Sequence, residues 1–111
     1  MAGTLERLRA AAERLGSTFP EVEEVWLFGS LARGDAVPGS DADVLVVLSR
    51  SEIPFLERPV RYRVEQCGIG VDLFAYTREE LERMGREGRR FTAQAMREAV
   101  LLWRRSPMEE G

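Results

Sequence analysis

Between Ala42 and Leu48 the chain runs ADVLVVL, seven residues that are apolar except for one aspartate. A segment of strand length with so little polarity suits a strand covered on both faces. The chain is thereby committed to a sheet with other elements packed against it. From Thr4 to about Gly16, Leu5, Leu8, Ala12 and Leu15 recur at helical spacing, with Thr4 as N-cap and Gly16 as stop. After Pro20, Val22 to Phe28 is a β-rich run interrupted by Gly29-Ser30. The segment LARG forms one helical turn between Ser30 and Gly34, and Pro38-Gly39 has the chemistry of a type II turn. Pro54 and Pro59 confine a helix to about residues 59–67. Val71 to Tyr76 reads as a third strand. Thr77-Arg-Glu-Glu80 then matches a capping box opening a helix that carries Leu81 and Met84 inward. Gly85 to Gly88 loosens the chain before a further helix with Phe91, Ala95 and Met96 on its apolar stripe. The segment Val100 to Trp103 either extends that helix or forms a strand, since periodicity admits both. This order predicts an α/β (α+β) fold, a small sheet with helices packed on it. The 111 residues suit one domain over residues 1–105 and a frayed tail, 106–111.

Composition removes several chemistries. With no histidine, neither His-assisted serine or cysteine catalysis nor a histidine-ligated zinc site is available. The single Cys67 forms no internal disulfide and reads as a small buried apolar residue in a reducing compartment. A net charge of −3 argues against strong non-specific binding of nucleic acid. The N-terminal segment mixes charges of both signs into its apolar residues, unlike a signal peptide, and no apolar run is long enough to span a bilayer. A cytoplasmic protein is expected. Arginines 86, 89, 90, 97, 104 and 105 read as a solvated helix face, and Trp26 and Trp103 as core or interface.

The chemistry concentrates between Phe28 and Leu48, in FGSLARGDAVPGSDADVLVVL. Gly29 admits close approach of backbone to a ligand, Ser30 adds a hydroxyl, and the turn after them suits a triphosphate. Asp41 and Asp43 are two apart where a strand begins, so both project from one face. Only four of the nineteen acidic residues are aspartates, and a third of these, Asp72, interrupts the apolar strand IGVDLFAY. Three carboxylates gathered there repel one another by about 4 kcal/mol per pair at close range. Magnesium resolves that conflict, because it takes oxygen ligands and completes its shell with phosphate and water. Two such ions suit three carboxylates, one activating an attacking hydroxyl and the other steadying a departing pyrophosphate. Arg33 suits a phosphate contact or a structural ion pair equally. Ser40 reads as a turn or cap residue and Asp35 as solvated loop.

The spacing Gly-Ser, ten residues, Asp-x-Asp resembles the signature of the nucleotidyltransferase superfamily that includes DNA polymerase beta and kanamycin nucleotidyltransferase. More narrowly, the chain from its first helix to Trp103 resembles the minimal nucleotidyltransferase domain, including MntA-type antitoxins. The resemblance implies a small mixed β-sheet flanked by helices, with the active site at one open edge. It implies that Gly29 and Ser30 hold the nucleotide's phosphates, that Asp41 and Asp43 bind magnesium, and that Asp72 completes the carboxylate triad and helps deprotonate the acceptor. It also implies a nucleoside triphosphate substrate such as ATP. In such proteins AMP passes to a hydroxyl, and by analogy the acceptor is a tyrosine on a HEPN-domain toxin partner. The length adds the expectation that another chain presents the acceptor. Two other roles remain open on the sequence. One is a docking module that silences its partner without catalysis; the other is a dimeric enzyme modifying a small molecule such as an aminoglycoside.

Overall fold

The computed structural model describes residues 3–29, 32, 34, 41–64, 70–86 and 97–106. Its elements are α1 (Thr4–Thr18), β1 (Val22–Phe28), β2 (Ala42–Leu48) and a 3-10 turn (Phe55–Glu57) that runs into α2 (Arg58–Arg61). They are followed by β3 (Val71–Thr77), α3 (Arg78–Arg86) and β4 (Val100–Arg104). Among the described residues the strands form one sheet in the order β3-β2-β1-β4. β1 is antiparallel to β2 and to β4, whereas β2 and β3 are parallel. The result is a mixed sheet with helices against it, the α/β architecture that the element order implies.

β2 anchors this sheet because six of its seven residues are buried. Val44, Val46 and Leu48 enter the main core with Val25, Leu27 and Ala75, and α1 closes that core with Leu8, Ala11, Ala12 and Leu15. On the opposite face Leu45 and Val47 are also buried. Each buried valine or leucine side chain stabilises the fold by about 1.5–3 kcal/mol relative to leaving it in water. Among the described residues no helix is long and apolar enough to cross a membrane.

Several local expectations are corrected by long-range packing. α1 starts after Gly3, not after Thr4, and passes through Gly16 to Thr18. Gly16 is no stop: a Cβ there would run into the Trp103 ring, so the glycine lets α1 lie close on β4. Val100–Arg104 is a strand, since it supplies the second neighbour that β1 needs. Arg104 and Arg105 are therefore not on a helix face. Arg104 pairs with Glu24 at 3.4 Å. Arg105 donates to the carbonyls of Gly16 (2.6 Å), Phe19 (3.2 Å) and Val22 (3.1 Å), tying the end of α1 to the start of β1. Trp26 is half-buried, and its indole N–H donates to Glu24 at 2.8 Å. The Pro38-Gly39 turn, Asp35, Ser40, Cys67, the stripe of Phe91, Ala95 and Met96, Arg89 and Arg90, and residues 107–111 lie outside the described residues.

The connection from β2 to β3 is corrected as well. Its helix begins in the 3-10 turn after Pro54 and ends at Arg61, with Pro59 in its first turn, so residues 62–64 of the expected helix 59–67 are not helical and residues 65–67 lie outside the described residues. Tyr62 then leaves the helix for the core, where its hydroxyl donates to Glu21 at 2.6 Å. The pivot is Arg58, only 4% exposed. Its guanidinium donates to the carbonyls of Ile53 (2.8 Å) and Ala75 (3.0 Å) and grips both oxygens of Glu80 (2.6 and 3.1 Å). Glu80 also accepts the Thr77 N–H at 2.8 Å, while its own N–H donates to the Thr77 hydroxyl at 3.1 Å. That reciprocal pair is the capping box expected from TREE, and its carboxylate doubles as counter-ion to a buried arginine.

Glu80→Ala is expected to destabilise the protein by about 3 kcal/mol, because it strands a buried guanidinium. Thr77→Ala, which removes the cap and one buried methyl but strands no charge, should cost less, about 1–2 kcal/mol. The Arg58 guanidinium holds the Glu80 carboxyl below its ordinary value of 4.5. A carboxyl lowered in the folded state adds stability that is complete above that ordinary value and disappears as pH falls through the folded one. Urea denaturation of wild type and Glu80→Ala at several acidic pH values should therefore show the difference between them shrinking as the solution is acidified.

Candidate functional site

The loop-facing end of the sheet gathers the acidic residues through strand register alone. Parallel pairing sets Asp43 directly opposite Asp72, with Ala42 opposite Val71 one step before. Residues paired across a parallel ladder point to the same side. Asp41 precedes β2 by one residue and shares the Asp43 face, on the side away from Ala42, which is fully buried. The Ala42 N–H donates to the Gly70 carbonyl at 2.9 Å, so the β2–β3 ladder is already closed where the carboxylates begin. β3 is an edge strand among the described residues, and the site spans the end of the sheet from β3 across β2 to the turn after β1.

Two glycines make room for the carboxylates. The chain leaves β1 at Gly29 with φ +82°, a conformation that glycine adopts without steric cost. Phe28, just before it, pairs with Asp43, and a Cβ on Gly29 would collide with the Asp43 carboxylate. Gly70 stands in the same relation to Asp41, whose carboxylate occupies the space that a side chain would take. Asp43 thus leans toward β1 and Asp41 toward β3. Ala32 is helical and Gly34, the last residue of LARG, adopts φ +81°; the other residues of that turn lie outside the described residues.

Asp72 is exposed, although it interrupts an otherwise apolar strand. Alternation along β3 turns it outward at the strand's second residue. No cost of burying it therefore drives the site; what remains is the crowding of like charges on one rim. Strands lie about 4.8 Å apart, and two unit charges at that spacing repel by about 1 kcal/mol in water and about 3 kcal/mol at an effective dielectric constant of 20. Among the described residues no three acidic groups already converge on a single metal position. The donor set is nevertheless an all-oxygen one on a solvent-accessible rim, the chemistry that suits magnesium.

Ser30 and Arg33 lie outside the described residues. Gly70 is the site residue that sequence reasoning passes over. Its signal was a glycine two positions ahead of Asp72, which acquires meaning only when β2 is laid beside β3. A separate groove of ≈ 820 Å³, lined by residues including Glu21, Arg50, Arg61 and Tyr62, opens beyond the far end of β2. It lies about 20 Å from the carboxylates by strand rise, and its charges of both signs single out no ligand.

Comparison with known proteins adds a family. The model of the family described as nucleotidyltransferase domain matches residues 6–102. No curated protein matches the sequence. Among solved structures, a Sulfolobus solfataricus protein assigned as a nucleotidyltransferase is 31% identical, with 92% of this chain and 81% of that one covered and a TM-score of 0.63. A toxin–antitoxin complex with AMP-PNP is 21% identical, covering 92% of this chain and 77% of the other, with a TM-score of 0.57. The MntA–HpeT toxin–antitoxin complex, carrying Asp-to-Glu changes at two aspartates two positions apart, is 18% identical over 92% and 77% of the chains, TM-score 0.56. These two, so distant in sequence, share the fold.

Gly29→Ala is expected to cost more stability than Gly34→Ala. Both residues have positive φ, which costs a side chain about 1–2 kcal/mol, but only Gly29 would also strike Asp43, whereas Gly34 faces open space. Parallel urea denaturation curves check the order.

Proposed function

This chain belongs to the nucleotidyltransferase domain family, and from that premise we propose that it transfers a nucleoside monophosphate, AMP from ATP, to a hydroxyl on a partner protein. The observation that carries the reading is the in-register pairing of Asp43 with Asp72, next to Asp41 and beside the glycine turn at the end of β1. Asp41 and Asp43 are the residues to hold magnesium ions, two in number, and Asp72 completes the set. Bound there, the cations supply neutralisation of the triphosphate and acidification of the attacking hydroxyl.

The acceptor oxygen forms a bond to the α-phosphorus while the bond to the bridging oxygen breaks, and pyrophosphate leaves. Asp72, exposed at the rim, accepts the hydroxyl proton. The turn at Gly29 and Ser30, with Arg33 after it, cradles the phosphates and holds the α-phosphorus in line with the acceptor. No protein nucleophile takes part, so a chain without histidine loses nothing.

Two toxin–antitoxin complexes among the structural neighbours, one holding an ATP analogue, support a protein acceptor and ATP as donor. The acceptor we propose is a tyrosine hydroxyl on a HEPN-type toxin, whose modification silences it, and the setting we propose is the cytoplasm.

The test incubates the protein with Mg²⁺ and α-labelled ATP, with and without the protein encoded beside it. Wild type should label the partner, and Asp41→Asn/Asp43→Asn should lower the rate by at least about a thousandfold, as loss of a principal transition-state stabiliser does. Tight binding of the partner by both forms with no label transferred would overturn the enzymatic reading and leave a docking module.

A further inference from the structure

Asp41, Asp43, Asp72 and Gly70 occupy the four corners of a square on one sheet face. Asp43 and Asp72 pair across β2 and β3. One alternation earlier, the Ala42 N–H bond to the Gly70 carbonyl brings Asp41 beside Gly70. Three corners carry carboxylates, and the fourth carries no side chain. The space that a Cβ on Gly70 would fill is held by the Asp41 carboxylate, with Oδ1 the nearest atom and Cγ only 3.0 Å away. The backbone does not demand glycine at this position, since φ at Gly70 is outside the left-handed region that Gly29 and Gly34 adopt. What the missing side chain provides is room for Asp41.

We propose that Gly70 is a positioning residue: its missing side chain lets the Asp41 carboxylate lie over β3, on the strand that bears Asp72, so that both can serve one divalent cation. This rests on the metal-site reading above and adds the element that orients one of its ligands. Any side chain at position 70 pushes the Asp41 carboxylate off β3 and away from Asp72. Because Asp41 is exposed, its carboxylate swings into water at little cost. The substitution therefore separates metal affinity from stability, as a purely structural glycine would not.

The experiment measures Mn²⁺ binding to the full chain by electron paramagnetic resonance in the presence of AMP-PNP, and thermal melting in EDTA. The variants are Gly70→Ala, Asp41→Ala, the double variant, and Gly85→Ala as a glycine with nothing near its added Cβ. Gly70→Ala should weaken Mn²⁺ binding roughly tenfold or more, as disturbed support of a metal ligand does, and should shift the metal-free melting temperature by no more than about 3 °C. In the Asp41→Ala background the same change should have no further effect on Mn²⁺ affinity, since the displaced group is gone. Gly85→Ala should bind like wild type. If wild type loses affinity with Asp41→Ala but Gly70→Ala binds as tightly as wild type, the positioning role falls and the metal site stands. If Asp41→Ala itself changes nothing, both fall. A Gly70→Ala protein that melts far lower, or that weakens binding equally with and without Asp41, makes Gly70 structural and overturns the inference.

Discussion

Parallel pairing of β2 with β3 cannot be made by a tight turn, so the chain must leave the end of one strand, cross the sheet and return to the start of the other. The position of Asp72 opposite Asp43 follows from how that crossing is fixed. Arg58 fixes it: one buried guanidinium binds the carbonyl of Ile53 on the outward path, the carbonyl of Ala75 within β3, and the carboxylate of Glu80 at the start of α3. A slip of one residue along β3 would break the bonds to Ala75 and Glu80 together and would turn Asp72 to the core face. The register that brings Asp72 to Asp43 is thus maintained from the far end of the strand, by groups that never approach a substrate.

At the other end of the sheet the same register produces an electrostatic liability. Carboxylates on neighbouring strands repel, and only Asp43 leans away from β3, toward Gly29; Asp41 leans over Gly70, toward the strand that bears Asp72. Both glycines are places where the backbone itself forms the wall of the site. A rim that concentrates negative charge, and is lined by backbone rather than side chains, is suited to a cation and to the phosphates that follow it.

Much of this was legible in the sequence because it is local. β1 and β2 occupy the residues that apolar patterning assigns them, and the Thr77–Glu80 box closes as its spelling implies. The aspartate pair was legible because two-residue spacing at a strand start admits one geometry. What escaped is what depends on a partner distant in sequence. The β4 strand could not be distinguished from a helix until β1 lay beside it, and the Arg105 contacts span 83 to 89 residues. The crossover helix was misplaced because its limits are set by Arg58 reaching Ala75 and by Tyr62 entering the core, neither of which Pro54 or Pro59 reveals. Gly70 was silent for the same reason: its neighbour is Asp41, on another strand.

The central claim is that Asp72 faces Asp43 to share a cation, so that the site trades stability for chemistry. Thermal melting of wild type and Asp72→Asn, each without metal and then with Mg²⁺ and AMP-PNP, tests it most directly. The account predicts that the neutral variant melts higher than wild type in the absence of metal, because a repulsion is relieved. It predicts also that the rise in melting temperature produced by Mg²⁺ and nucleotide in wild type is largely lost in the variant, because ligand stabilises only what it binds. A variant that melts lower without metal and still gains the full rise would contradict the account, and would move the cation away from the Asp43–Asp72 pair.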